Sequence, residues 1–411
     1  MPSSPAVALD TLPGGSPFGF VRRGHPLRVD VERFWESAAR APALGELLAA
    51  EGGAPAVRSV LRLYPEGPSR LKWLSVSVQR WLTSGFASVT LHYRARKQRL
   101  LEFELHEDPL LPGSAQFEGE TAEVLRYVPR RRLTFRAADG RIGKCVAACD
   151  LDGSWRRLHA VWGGARSASF AVAEPAGLDR ERSVFYQRAL EGDDLAEKID
   201  ARNMTVLLRG AGRIHAELQS LDVRGVPDWH PHEVLPEIRE HARLVALFRP
   251  EASALVAEAL ATLLATVPRP SPPAFCHGDL RCGHLLEHDG RWSVIDLDGC
   301  RIGDPCQDVS RLLAFLKRDV PYVAERFAAA DGGHDELDRA IAAFLAGHAE
   351  RARSPLEPKR LTWYLLAHEL DFLARMFKRD LFAPHAFERG LQRLVSLREQ
   401  LGELLGNGRR A

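Results

Sequence analysis

The 411-residue sequence predicts an α+β chain of two lobes, the first rich in strands and the second helical, preceded by a small α+β unit. Two observations point there. Apolar residues alternate with polar ones in short runs up to about residue 190, and recur at helical spacing after it. A single later segment, 275–297, returns to strand character inside the helical part.

In chain order, residues 1–24 mix Pro, Ser and Gly with scattered apolar residues and are expected to form a mobile N-terminal segment. They lack the basic start and long apolar stretch of a secretory signal. Residues 25–115 read as the N-terminal α+β extension. A helix is expected over 29–50, and strands over 72–81, 88–94 and 100–105, with turns at Gly85 and at Lys97-Gln98. In the first strand Leu74, Val76 and Val78 alternate with Ser75, Ser77 and Gln79. The run Asp108-Pro109-Leu110-Leu111-Pro112-Gly113 then punctuates the chain.

Residues 116–192 read as the N-lobe. Strands are expected over 124–128, 133–137 and 141–147, the last two joined by Asp139-Gly140 as a two-residue hairpin turn. A short helix over 154–163 and strands over 169–174 and 183–190 follow, and Glu191-Gly192-Asp193-Asp194 ends the lobe. Residues 193–411 read as the helical C-lobe. Ile214, Leu218 and Leu221 share helical spacing, 252–265 is a clearer helix stopped by the prolines of 268–273, and helix runs from Gln307 to the end, interrupted near Gly332-Gly333 and Pro355.

Composition sets the class of partner. Hydrophobic residues are 45% and charged residues 27%, the balance of a globular protein, and the net charge of +2 gives no overall pull toward nucleic acid or a membrane surface. No window approaches the roughly 18 apolar residues of a membrane span. Six cysteines are too sparse for a disulfide scaffold, so a reducing cytoplasm is expected. Cys276, Cys282, Cys300 and Cys306 lie near His277 and His284, but each cysteine pair leaves five residues between, wider than the about two to four of structural zinc knuckles. They read as small buried hydrophobes. Arg130-Arg131-Arg132 reads as a solvated strand end.

Chemistry concentrates in His277-Gly278-Asp279-Leu280-Arg281-Cys282-Gly283-His284 and in Val294-Ile295-Asp296-Leu297-Asp298. Phosphoryl transfer needs a carboxylate beside the attacking hydroxyl, metal ligands at the phosphates and a cation on the nucleotide. A loop with Asp279 and a ligand five residues later can hold base and metal ligand on two sides of one turn, and a hairpin ending at Asp296 can add a metal carboxylate.

With Gly303-Asp304-Pro305 and Asp308 following at matching spacing, this pattern resembles the aminoglycoside phosphotransferase family and its choline, fructosamine, homoserine and maltose kinase relatives. The resemblance implies a bilobal protein-kinase-like fold that uses ATP and Mg2+, or Mn2+, to phosphorylate a hydroxyl of a sugar, aminoglycoside or amino alcohol. It implies Asp279 as catalytic base and Asp296 as chief metal ligand, with Asp298 as second ligand or support. Asp304 and Asp308 are expected to brace the loop or cap a helix. Where most of the family has Asn, this chain has His284, and the maltokinase-like branch has Gln. Three readings stay open at His284: water replaces it, Mn2+ is preferred because Mg2+ binds imidazole poorly, or catalysis is lost. An unperturbed imidazole would stop ligating below roughly pH 6.5.

In the N-lobe the resemblance places a nucleotide-phosphate lysine at Lys144, against the simpler reading of an exposed edge lysine. No Gly-rich loop precedes it, and the helix after it offers no glutamate partner. Adenine is expected near Arg188, Ala189 and Leu190. Trp363, Tyr364, His368, Glu369, Asp371 and Phe372 form either an acceptor pocket or a packed helix. The rival function is a nucleotide-binding pseudokinase that acts through partners, favoured by His284 and the absent glutamate.

Overall fold

The computed structural model describes residues 74–80, 87–93, 101–104, 110–117, 123–128, 132–200, 202–327, 333–378 and 384–407. The mobile segment expected over 1–24 and the helix over 29–50 lie outside the described residues. The three alternating runs that follow form strands β1 (Leu74–Arg80), β2 (Ala87–Tyr93) and β3 (Leu101–Glu104). Their order is β2-β1-β3, antiparallel between β1 and β2 and parallel between β1 and β3.

The N-lobe is a five-stranded antiparallel sheet with one helix against it. Its strands are β4 (Glu123–Val128), β5 (Arg132–Arg136), β6 (Ile142–Val146), β8 (Pro175–Asp179) and β9 (Val184–Gln187), in the order β4-β5-β6-β9-β8. Period-two alternation sorts its faces. Leu133, Phe135, Cys145 and Val184 pack on one face with Leu111 and Phe117, all nearly fully buried. Gly143 lies on that face beneath the Phe135 ring, where a Cβ would stand 2.2 Å from the ring, so no larger residue fits. On the other face Val146 and Phe185 meet Leu151, Trp155 and Leu158 of helix α1 (Leu151–Gly164). Thr134 is paired directly with Lys144 on one side and with Arg126 on the other, which puts Arg126, Arg132 and Lys144 on this second face.

Three expectations are corrected. Leu111 and Phe117 pack under this sheet, so the chain joins the N-lobe by residue 111 rather than after 115. Pro175 and Gly177 hid β8, an edge strand where a missing amide donor is tolerated. The strand expected over 169–174 is the shorter β7 (Phe170–Val172), which leaves the lobe's sheet and pairs in parallel with a C-lobe hairpin.

That hairpin is β12 (Leu285–His288) and β13 (Arg291–Val294), turned by Asp289 and Gly290, both at positive φ. It is flanked by β7 and the two-residue β10 (Asp193–Asp194). A second small pair joins β11 (Ala274–Cys276) to β14 (Arg301–Gly303). Around these lie helices α2 (Leu195–Lys198), α3 (Met204–Gln219), α4 (Leu235–Phe248), α5 (Ser253–Ala265), α6 (Pro305–Phe327), α7 (Gly333–Ala349), α8 (Pro358–Lys378) and α9 (Pro384–Asn407). Proline opens α6, α8 and α9, where its missing amide would have no helical partner. One core joins α3, α6 and α7 to the hairpin strands, and another joins α4, α5, α8 and α9. Among the described residues no helix is long and apolar enough to cross a membrane.

Candidate active site

Strand β11 delivers the chain to His277, and the loop after it is built by backbone capture. Asp308, fully buried in the first turn of α6, accepts the backbone N–H of His277 on Oδ2 and that of Gly278 on Oδ1 at 2.9 Å. Burial pushes the Asp308 carboxyl up, but His215 (3.5 Å) and the Gly278 N–H outweigh it and hold the pKa below the usual range. Gly278 sits at φ +82°, and a Cβ there would lie 2.1 Å from the Gly299 carbonyl oxygen. His277 Nε2 donates to the Ile295 carbonyl (2.9 Å) while Nδ1 receives the Asp279 N–H (3.3 Å), which ties the loop to the chain before Asp296. Asp304 accepts the Cys306 N–H at 2.9 Å and an Arg360 N–H at 2.7 Å, so both downstream aspartates brace backbone as expected.

Asp279, His284 and Asp296 converge. One ligand atom from each lies within 4.8 Å of the others. Arg311 grips Asp279 Oδ1 through Nε (2.7 Å) and Nη2, and Arg281 Nη2 donates to Oδ2 at 3.1 Å. Burial raises the Asp279 pKa, but Arg311 and Arg281 together hold it below the usual carboxylate range. The tautomer of His284 follows from its neighbours. Arg281 can only donate, and it meets Nε2 at 2.9 Å, so the proton sits on Nδ1 and goes to the Asp279 carbonyl at 2.8 Å. Burial, then the adjacent His277 and Arg281, lower the His284 pKa to about 3. The imidazole is therefore neutral, its Nε2 lone pair accepts from Arg281 while Nε2 stands 3.4 Å from Asp296 Oδ2, and the loss of ligation near pH 6.5 does not apply to it.

Two carboxylates and one neutral imidazole nitrogen suit a divalent ion that accepts both oxygen and nitrogen, as Mn2+ does more readily than Mg2+. Asp298, the other expected ligand, stands outside this trio and faces Lys144 at 2.7 Å and Arg132 at 3.4 Å. Asp296 itself adopts φ +59°, a left-handed conformation uncommon outside glycine and frequent where strain serves a site.

The cations opposite come from the N-lobe sheet. Lys144 is 5% exposed and reaches Asp296 Oδ1 (3.2 Å) and Asp298 Oδ1 (2.7 Å). Burial lowers its pKa, but Asp298 and Asp296 more than offset this and raise it. Lys144 lies on an interior strand, so the exposed edge-lysine reading fails. Arg132 binds both oxygens of Asp296 (3.1 and 3.3 Å), and Arg126 stands 3.6 Å from it. The solvated-strand-end reading thus fails for Arg132; Arg130 and Arg131 lie outside the described residues. The period-two pattern of Leu133 and Phe135 was the signal that Arg132 shares the face of Lys144. No signal pointed to Arg281 or Arg311.

Helix α1 gives the cleft Ser154 and Arg157, with Arg157 donating to Ser154 Oγ at 3.1 Å, where a glutamate was looked for. Val172, Gln187 and Val294 complete the wall beside Asp296 and Asp298. Arg188 and Ala189 line a different surface hollow with Asp139 and Glu174, and the Arg188 side chain pairs with Glu174 at 2.7 Å. The strand end that reaches the cleft is Gln187, one residue earlier than the expected Arg188–Leu190 set.

On α8, Trp363 and Tyr364 are buried, Glu369 pairs with Arg393 (2.8 Å), and Asp371 pairs with Arg375 (2.8 Å) and His241 (3.5 Å). This is the packed helix rather than an open pocket. Cys276, Cys282, Cys300 and Cys306 are buried, and burial pushes the Cys300 and Cys306 thiols up to about 12.

Residues 156–345 match the model of the APH phosphotransferase enzyme family; this segment holds the motifs from His277 to Asp308, while Lys144 lies before it. No curated protein matches the chain in sequence. Among solved structures the chain is similar to a thermostable mutant of aminoglycoside phosphotransferase APH(4)-Ia in its apo form, at 20% identity over 68% of this chain and 94% of that one, with a TM-score of 0.49. It is similar also to a choline/ethanolamine kinase family protein from Mesorhizobium loti (16% identity, 75% and 97% covered, TM-score 0.44). A third is choline kinase LicA from Streptococcus pneumoniae (12% identity, 70% and 96% covered, TM-score 0.45).

Proposed function

We propose that this chain transfers the γ-phosphoryl group of ATP to a hydroxyl of a small molecule. The observation that carries the reading is the convergence of Asp279, His284 and Asp296, with Lys144 buried against Asp296 and Asp298. Lys144, Arg132 and Arg126 give the nucleotide phosphates a cationic wall, and the Arg132 fork, bidentate on a carboxylate here, fits phosphate oxygens equally well. Asp296, with Asp279 and Asp298 beside it and with His284 Nε2 once Arg281 releases it, would hold a divalent ion, whose chemistry is neutralisation of phosphate charge.

Asp279 is the acceptor of the hydroxyl proton. Its two oxygens offer about four lone-pair sites. Arg311 fills two on Oδ1 and Arg281 one on Oδ2, which leaves one on Oδ2 for the substrate O–H. The ionised carboxylate orients that hydroxyl and takes its proton as the new O–P bond forms and the bond to ADP breaks. A low pKa suits this role, because a loose phosphoryl transition state asks for orientation more than basicity. The presence of every one of these groups favours catalysis over a pseudokinase.

The test is Asp279→Asn. Turnover should fall by about a hundredfold or more while affinity for the non-hydrolysable analogue AMP-PNP stays within about threefold. Turnover near the parent level would end the assignment.

A further inference from the structure

We propose that the acceptor is a hydroxylated oxyanion, bearing a carboxylate or phosphate, and that Arg311 recognises it. This rests on the reading of Asp279 as the group that receives the hydroxyl. A hydroxyl donating to Asp279 comes within about 3 Å of Oδ2. Its carbon skeleton then lies beside two guanidinium groups, Arg311 on Oδ1 and Arg281 on Oδ2. Arg281 also meets His284 Nε2 and so stands toward the metal carboxylates, where the transferred phosphoryl group must pass. Arg311 is on the other oxygen. It spends two of its five N–H groups on Asp279, lies over the Phe315 ring at 5.5 Å and is held on helix α6, a rigid support. Burial lowers the Arg375 pKa, but Asp371, and to a smaller extent Asp279, more than offset this and raise it.

The buried carboxylates on this side, Glu369 and Asp371, are committed elsewhere. Glu369 and Asp371 are 3% and 9% exposed and are paired with Arg393 and Arg375. Glu237, which is exposed, stands beside His241 at 3.6 Å. An ammonium next to the reacting hydroxyl would meet two guanidinium groups on Asp279, while the neighbouring Asp296 is already engaged by Lys144 and Arg132, whereas an oxyanion would accept from Arg311 in the fork geometry guanidinium favours.

The experiment holds the ring constant and changes only its charge. Glucose, glucosamine, glucuronate and glucose 6-phosphate are titrated calorimetrically into the full chain saturated with AMP-PNP and Mn2+, so that the nucleotide phosphate wall is already filled. Glycerol, serinol and glycerate repeat the comparison on three carbons. Oxyanion probes should bind about ten- to a hundredfold tighter than the neutral parent, and the amines no better than it. The better of glucuronate and glucose 6-phosphate tells carboxylate from phosphate. Arg311→Gln should erase the preference and Arg311→Lys keep part of it. Amines binding as well as oxyanions, no probe of either series distinguished by charge, or a preference that survives Arg311→Gln overturns the proposal. Because the comparison within the parent protein needs no variant, poor folding of Arg311→Gln does not rescue it. Failure to bind AMP-PNP at all would instead remove the phosphotransferase reading.

Discussion

Replacing Asp308 with Asn should loosen the catalytic loop without touching any group that meets substrate. Asp308 is wholly buried and accepts two backbone N–H groups, from His277 and Gly278. Asn keeps one oxygen for one of them and turns an NH2 toward the other. One buried donor is left unpaired, at about 1–3 kcal/mol, and the surviving bond loses its charge assistance, at about 1 kcal/mol, so the variant should be about 2–4 kcal/mol less stable. Urea unfolding followed by tryptophan fluorescence reads this as a lower midpoint at unchanged slope. The pH dependence supplies a second check. Burial raises the Asp308 pKa but His215 and the loop amide lower it further, so its folded value lies below its unfolded one. Its stabilisation is complete above the ordinary carboxylate pKa of about 4 and is lost as pH falls through the lower folded value. The gap between the two proteins should thus be flat from about pH 5 to 8 and narrow below about pH 4. A variant within about 0.5 kcal/mol of the parent at pH 7, or a gap that widens on acidification, would refute this account of the loop.

Lys144→Met should weaken AMP-PNP binding about tenfold or more by removing a buried charge-assisted contact, and an unchanged affinity would take Lys144 off the phosphate wall. His284, with its pKa at about 3, should let Mn2+ affinity stay level from about pH 5 to 7 as far as the imidazole is concerned; spin-resonance titration would expose a fall near pH 6.5 as evidence of an exposed ring. His284→Asn should raise the Mg2+-to-Mn2+ affinity ratio by restoring an oxygen donor, and an unaltered ratio would mean the ring does not reach the ion. Gly278→Ala should cost turnover and stability together, since its Cβ meets the Gly299 carbonyl at 2.1 Å, while Gly140→Ala at nearly the same φ meets open space and should cost only about 1–2 kcal/mol of left-handed strain. Equal effects of the two would discard the clash.

The elements that the sequence disclosed were those whose cause is local. Alternation in Leu133 and Phe135 and the Asp139-Gly140 turn act within a few residues and survive into the structure. Asp279, Asp296 and Asp308 were marked by the motifs that carry the family resemblance, and in the structure Asp279 and Asp296 converge while Asp308 holds the loop backbone. Pairings across the fold were not so marked. Arg311 and Asp279 stand 32 positions apart, and Arg132 and Asp296 stand 164 apart, so only the docked lobes disclose them. Strand β8 was hidden because Pro175 and Gly177 argue against a strand, and an edge position overrides that preference. The α8 cluster was ambiguous for another reason: spacing shows which residues share a face but not whether Arg375 and Arg393 lie ready to neutralise them.

Arg126, Arg132 and Lys144 belong to one lobe, and Asp296 and Asp298 to the other, so their ion pairs are clasps across the mouth of the cleft. A nucleotide phosphate that bound there would have to take over cations that are already engaged. The clasps differ in shelter. The Arg126 side chain is 39% exposed, Arg132 24% and Lys144 6%. Dissolved salt screens charges over a distance of about 8 Å at physiological strength, and it weakens exposed pairs more than buried ones. Rising ionic strength should therefore weaken the Arg126 pair before the Arg132 pair, and the sheltered Lys144 pairs least.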